Sequence, residues 1–293
     1  MKRLIIYFII FLFLCSQSLN AAFEIQEAGA RNTAMAGAVT SFVKDASAVF
    51  YNPGALALVQ NSEILLTQLH PYSWDLLMYH SLAFVHPLEG TDTIGLSVSY
   101  LGTLRDEDYK EQIDYNELMI SAAYGFYLPF IDGLSMGFSM KYLSTGSREA
   151  DSAGFALDVG GVYSMNSKVD LGITFKDITL GHIKYSTGHR ETLNPSVTLG
   201  ASAEFFRNFI GSCDLNMKVK EAVDPFTAGL GLQYVYKFIG VRAGFKYGGK
   251  ENLFITSGLG VVLPYLQGIG ADYAFVYNTG LNYSNMFSIN IKF

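Results

Sequence analysis

LSMGFSMKY, residues 134–142, places Leu134, Met136, Phe138, Met140 and Tyr142 on one phase and Ser135, Gly137, Ser139 and Lys141 on the other. Side chains of a strand point alternately to opposite faces, so a period of two describes a strand with one greasy side and one wet side. The same grammar returns in VDLGITFK (169–176), SVTLGASAEF (196–205), IGVRAGFKY (239–247) and FSINIKF (287–293). One phase is continuously apolar. The other is Gly, Ser, Thr and scattered charge.

Counting outward from this stretch gives segments near 61–70, 77–86, 92–102, 115–127, 133–143, 152–163, 168–177, 195–205, 208–219, 226–236, 238–247, 252–263, 267–277 and 283–293, fourteen in all. The first two alternate least clearly. A membrane strand takes about 9–11 residues, which leaves about six for each link. Links 87–91, 166–167, 206–207 and 237 are short, whereas 103–114, 144–151, 178–194 and 248–251 are longer or more charged. Short turns on one rim and long loops on the other are how outer-membrane barrels are built. Tyr100, Tyr127, Tyr142, Tyr163, Tyr236, Tyr247 and Tyr277 stand at segment ends, where an interfacial aromatic girdle is expected.

Composition agrees. Half of the 293 residues are apolar and only 16% are charged, against roughly 25% in an average soluble domain. The formal net charge of −6 argues against nucleic acid as a partner, because a phosphate backbone needs a basic face. Lys2 and Arg3, an apolar run over 4–14 and Ala21-Ala22 have the layout of a signal peptide over 1–21, too short an apolar run to span a bilayer. Beyond it one thiol is left, Cys213, so no intramolecular disulfide is expected. An exported chain without another spanning helix is a soluble β-rich protein or a membrane barrel. The sorted links favour the barrel.

Residues 22–60 break the pattern. They read GARNTAMAGA from Gly29 and DASAVFYNPGALAL from Asp45. Asp45 is placed to cap a short helix through Val49, and Asn52-Pro53 to start another turn over 54–59. Compact Ala-rich turns ahead of the first strand suggest a plug folded into the lumen over 22–60, with the barrel over 61–293.

Gly29-Ala30-Arg31, Ala34-Met35-Ala36-Gly37-Ala38, Asp45-Ala46-Ser47-Ala48 and Asn52-Pro53-Gly54-Ala55-Leu56 together resemble the N-terminal hatch of the FadL-type outer-membrane transporters and the related PorV/PorQ group. The departures are Ala36 where Gly is common, Lys44 where a second acid is common, and Gly54-Ala55 where Ala-Gly is common. The absence of large insertions leans toward the compact PorV/PorQ-like members. The resemblance implies an all-β fold: a closed antiparallel transmembrane β-barrel of 14 strands with an N-terminal lumen plug, both termini periplasmic, in the outer membrane of a diderm bacterium. It implies passive transport of small hydrophobic molecules. The alternative it carries is a PorV/PorQ-like role in type IX secretion, binding or attaching cargo. Implied partners are outer-membrane lipid, hydrophobic ligands, the barrel-assembly machinery and, in the alternative, secretion components. Hatch and gate residues by this reading are Gly29, Arg31, Met35, Gly37, Asp45, Phe50, Tyr51, Asn52 and Pro53.

Enzyme signals are thin. Ser41-Phe42-Val43-Lys44 matches S-x-x-K, but its partner motifs are missing, since Lys246-Tyr247-Gly248 is not K-T-G. The five histidines sit in no recognisable catalytic spacing, and neither metal nor cofactor is expected. Asp158, Asp170, Asp214, Lys218, Arg242, Lys246 and Asp272 fall on the polar phase, hence in the lumen, where charges must be paired or wet. The bland reading is that they pair with one another and with Arg31, Lys44 and Asp45 of the plug. The functional reading is a polar path for a ligand. Finally, Phe287, Ile289, Ile291 and Phe293 form a terminal in-phase aromatic strand resembling the signal read by the barrel-assembly machinery. Deleting Phe293 is expected to lower the amount of assembled barrel in the outer-membrane fraction, measured by immunoblot. Unchanged yield counts against an assembly signal.

Overall fold

A computed structural model describes Phe23 and residues 27–73, 77–103, 114–148, 150–220, 225–248, 252–263 and 268–293. The leader expected over 1–21 lies outside the described residues. Two single-turn helices, α1 (Ala30–Thr33) and α2 (Ala48–Tyr51), and a 3-10 stretch over Pro53–Leu58 precede the strands. The strands are β1 (Glu63–His70), β2 (Leu77–Pro87), β3 (Thr93–Thr103), β4 (Tyr115–Tyr127), β5 (Leu134–Ser147), β6 (Asp151–Ser164), β7 (Val169–Thr179), β8 (Ile183–Tyr185), β9 (Arg190–Glu191), β10 (Ser196–Phe206), β11 (Phe209–Lys218), β12 (Phe226–Tyr236), β13 (Ile239–Tyr247), β14 (Leu253–Val262), β15 (Ile269–Asn278) and β16 (Asn282–Lys292).

Among the described residues all pairings are antiparallel and belong to one sheet. Each barrel strand pairs with its neighbours in the chain, β7 joins β10, and β1 closes on β16 from Glu63 opposite Lys292 to His70 opposite Asn285. Fourteen strands therefore form a closed cylinder, as the alternation predicts. Closure removes the sheet edges, which is what lets strands sit in lipid at all.

The outer face carries the apolar phase. Phe138, Met140, Leu199, Leu230, Ile255 and Leu259 are exposed there, while Ser139, Ser202 and Thr256 on the opposite phase are buried in the lumen. The weak alternation at the start has a physical cause. Leu65, Leu69, Tyr79, Ala83 and Val85 occupy the lumen phase of β1 and β2, and they pack on the chain folded inside, so these strands are apolar on both faces.

Three expectations need correction. The segment 178–194 is not a plain loop: it holds β8 and β9, too short to show a period. β8 takes over from β7 as partner of the outer end of β6, with Ser152 opposite Tyr185. The link expected over 144–151 is mostly strand, because β5 and β6 continue as a long hairpin joined by a Thr145–Ser152 hydroxyl pair at 2.7 Å. Tyr127 shares the phase of Ala123 and Gly125, the lumen side, so it does not belong to an outer girdle.

Phe138→Arg is expected to destabilise the barrel by roughly 2–4 kcal/mol, the cost of a mid-bilayer cation on the lipid face. Asn216→Arg, which points into the open lumen, is expected to have little effect. Urea unfolding in lipid vesicles, followed by heat-modifiable gel migration, compares the two.

Candidate lumen site

Residues 27–60 lie inside the cylinder, and their turns are locally specified. Gly29 (φ +81°) and Gly37 (φ +69°) take left-handed conformations that side chains resist. The Asn52 Oδ1 accepts the Gly54 N–H at 3.0 Å, with Pro53 at the first position of the turn. Its Nδ2 donates to the carbonyls of Thr40 (2.7 Å) and of Gly161 in β6 (3.2 Å), which ties the segment to the wall. Asp45 spends Oδ1 on the Ser47 N–H, so α2 starts at Ala48 and runs to Tyr51 rather than ending at Val49.

Glycine on the lumen phase lets backbone meet backbone. A Cβ at Gly172 would stand 2.6 Å from the Thr40 carbonyl oxygen, and one at Gly244 would stand 2.6 Å from the Ala36 nitrogen. Gly137 faces the Pro53 carbonyl in the same way, and Gly160 makes room for the Asn52 side chain. Met35 is fully buried over Gly231. Wall side chains then satisfy the segment's orphan N–H groups: Thr67 for Gly29, the Ser288 hydroxyl for Ala30, and Asp214 for Thr40, each at 3.0 Å.

The lumen is divided. Val43, Val49, Phe50 and Leu56 pack on Leu65, Val85, Met119 and Leu143, an apolar arc over β1–β5. Glu63 of β1 and Glu117 of β4 are buried on the same lumen phase, and most of the charge pairs lie from β5 onward. Asp170 meets Lys44 at 2.8 Å, and Asp272 meets Arg242 at 2.6 Å. Gln233 accepts from both Arg242 (2.9 Å) and Arg31 (3.1 Å), while Arg31 also reaches Asp45 at 3.2 Å. Asp158 sits at a bulge where β7 carries one extra residue, and Asp177 there is left-handed (φ +61°). The Asp177 N–H donates to Asp158 at 2.8 Å, and Lys141 bridges both carboxylates at 2.7 Å. Lys141, Lys176 and Gln233 were not singled out from sequence. Their position on the polar phase was the available signal.

Above the segment a cavity of about 460 Å³ opens to the rim of the longer links, where Tyr72, Asn194 and Asn252 border it. Gly37, Thr40 and Tyr51 form its floor, and Lys176, Lys218, Lys246 and Phe254 stand on its walls. Burial, and after it the Glu27 charge, hold the Tyr51 phenol well above its ordinary range, so it remains a neutral O–H group. Of the expected gate, Tyr51 thus faces the cavity, while Phe50, Asn52 and Pro53 are buried beneath it. Phe287, Ile289 and Phe293 are on the outer face, and Ile291 is half-buried. Among the described residues no cluster of three or more His, Cys, Asp or Glu is arranged to hold a metal.

No family model matches the chain, and no curated protein sequence matches it. Solved structures do. A barrel described as the CymD monoaromatic hydrocarbon channel superposes with a TM-score of 0.69 at 13% identity, covering 93% of this chain and 99% of its own. A Pseudomonas aeruginosa FadL homologue gives 0.68 at 12% identity, covering 91% and 98%. The P. putida toluene transporter TodX gives 0.69 at 13%, covering 92% and 99%. The chain has the fold of the FadL-type barrels. The agreement runs over nearly the whole length of both chains, so it is the barrel fold as a whole that is shared at this low identity.

Lys141→Met is expected to destabilise the barrel by about 3–5 kcal/mol, because Asp158 and Asp177 are left without their cation in a dry site. Lys44→Met, whose partner pair is open to water, is expected to cost less than about 1 kcal/mol. The same vesicle unfolding assay ranks them.

Proposed function

We propose that this protein is an outer-membrane barrel that lets small hydrophobic molecules cross passively, with 1–21 a removed leader, 22–60 a plug and 61–293 the barrel. Both ends of the barrel domain then lie on the periplasmic rim. The observation that carries the reading is the cavity. It opens to one rim, is partly aromatic, and is floored by the inner segment within a cylinder whose exterior is apolar. Lipopolysaccharide slows apolar solutes, and such a barrel offers them a foothold that the lipid surface does not. A molecule resting in the cavity touches Tyr51, which α2 joins directly to Asn52 and Pro53. A shift of that turn is the natural gate, and Phe50 is the side chain that has to leave the apolar arc when it moves. The matched barrels described as channels and transporters support this direction. The type IX secretion alternative has no such support, and no catalytic role is assigned.

The test fixes the plug. A Cβ built on Gly229 lies 3.4 Å from that of Ala38, close to the usual separation across a disulfide. Ala38→Cys with Gly229→Cys, in a Cys213→Ser background, is expected to abolish uptake of labelled toluene into deletion-strain cells when oxidised and to restore it on reduction. Uptake indifferent to oxidation sinks the gating role of the plug.

A further inference from the structure

The outer wall is not greasy all the way round. On β10, β12 and β13 the outward phase carries only apolar and aromatic side chains. On β16, β1 and β2, where the sheet closes on itself, it carries Asn285, Gln68, His80 and His86. Two of these are occupied. Asn285 Oδ1 accepts the Tyr273 hydroxyl at 2.6 Å, and His86 Nδ1 meets the Ser62 hydroxyl at 2.8 Å. Gln68 and His80 are exposed, and among the described residues neither side chain has a hydrogen-bond partner.

The two are direct cross-strand partners, so their side chains start about 5 Å apart and form one patch. The patch is not at a rim. His80 stands six residues along β2 from His86. For a tilted strand that is about 15 Å of height, inside an apolar band about 25 Å tall. Lipid tails at that depth offer neither donor nor acceptor, and an unpaired polar group in hydrocarbon is expensive. The surface is also concave here. A groove of about 380 Å³ opens outward between Phe287 and Tyr100, with Leu66, Leu82 and Ile289 on its walls and the Gln68–His80 pair beside them. From within, the same strands are braced by the inner segment, since Thr67 and Ser288 accept the N–H groups of Gly29 and Ala30.

We propose that this seam docks a second copy of the chain, the two copies related by a two-fold axis along the membrane normal. Such an axis keeps every residue at its own depth, so what meets Gln68 and His80 in the facing wall is another Gln68 and His80. The pair is self-complementary. The amide has a donor and an acceptor, and a neutral imidazole has one of each, so each Gln68 bonds the His80 opposite. Apolar burial drives little association within lipid, where packing and polar contacts hold surfaces together. The groove supplies the packing, as Leu66 and Leu82 meet their counterparts across the axis. This assignment does not depend on what the lumen carries.

Leu66→Cys in a Cys213→Ser background puts one thiol beside the axis, and Leu230→Cys in the same background puts one on the far wall. A short membrane-permeant bismaleimide added to isolated outer membranes is expected to give a band of twice the mass from Leu66→Cys and little from Leu230→Cys. Gln68→Leu with His80→Leu makes the seam resemble the rest of the wall. In the Leu66→Cys background it is expected to reduce that band, and sedimentation equilibrium of the full-length barrel in density-matched detergent is expected to show dimerisation weakened at least about fivefold. Heat-modifiable migration confirms that each variant is folded. A monomer in both measurements overturns the proposal. Equal crosslinking from Leu66→Cys and Leu230→Cys also overturns it, because chance collision is then enough. A dimer untouched by the double leucine variant overturns the role of Gln68 and His80. A monomer that keeps outer-membrane lipid, and loses it in that variant, assigns the groove to lipid and overturns docking of a second copy.

Discussion

A cylinder of fourteen strands encloses more space than its own inward side chains fill. That constraint shapes the rest of the molecule. The space is taken by residues 27–60, whose successive turns bond to themselves along much of the backbone but leave a number of polar groups at turn starts and ends without an internal partner. Those groups therefore need partners on the wall, and the wall supplies them from Thr67, Ser288, Asp214, Thr256 and the Gly161 carbonyl. The glycines of the lumen phase answer the same need, since only a bare backbone allows such close approach.

Filling is uneven, and the unevenness is where chemistry enters. One arc glues the inner segment through Val49, Phe50 and Leu56 against apolar wall residues. Elsewhere in the lumen Lys141 pairs with Asp158 and Arg242 with Asp272, while Lys176, Lys218 and Lys246 stand on the cavity wall. The division between a sealed floor and a donor-rich vestibule follows from which strands carry apolar lumen residues. Strand number alone does not produce it.

Much of this was legible early. The phase of the five clearly alternating strands was read correctly because lipid and lumen pose a two-way choice that each residue answers locally, as Phe138 and Ser139 do. Asn52-Pro53 announced its turn because capping is decided within three residues. The failures share the opposite property. β8 is three residues long and exists because β6 outruns β7, which no local pattern records. The first two strands looked indistinct because their lumen faces pack on a segment whose position the alternation does not encode.

By itself the sequence determined the cylinder: the period of two, the number of strands and the existence of a non-strand segment to place inside it. Tertiary structure alone decided which lumen residues meet. Lys141 lies between Asp158 and Asp177 because of a one-residue bulge, and Lys246, Phe254 and Asn278 stand abreast because of the register of three strands. The physical reason is that alternation fixes the side a residue faces, while register and the course of the inner segment fix its height and its neighbours, and those are set by closure of the whole sheet.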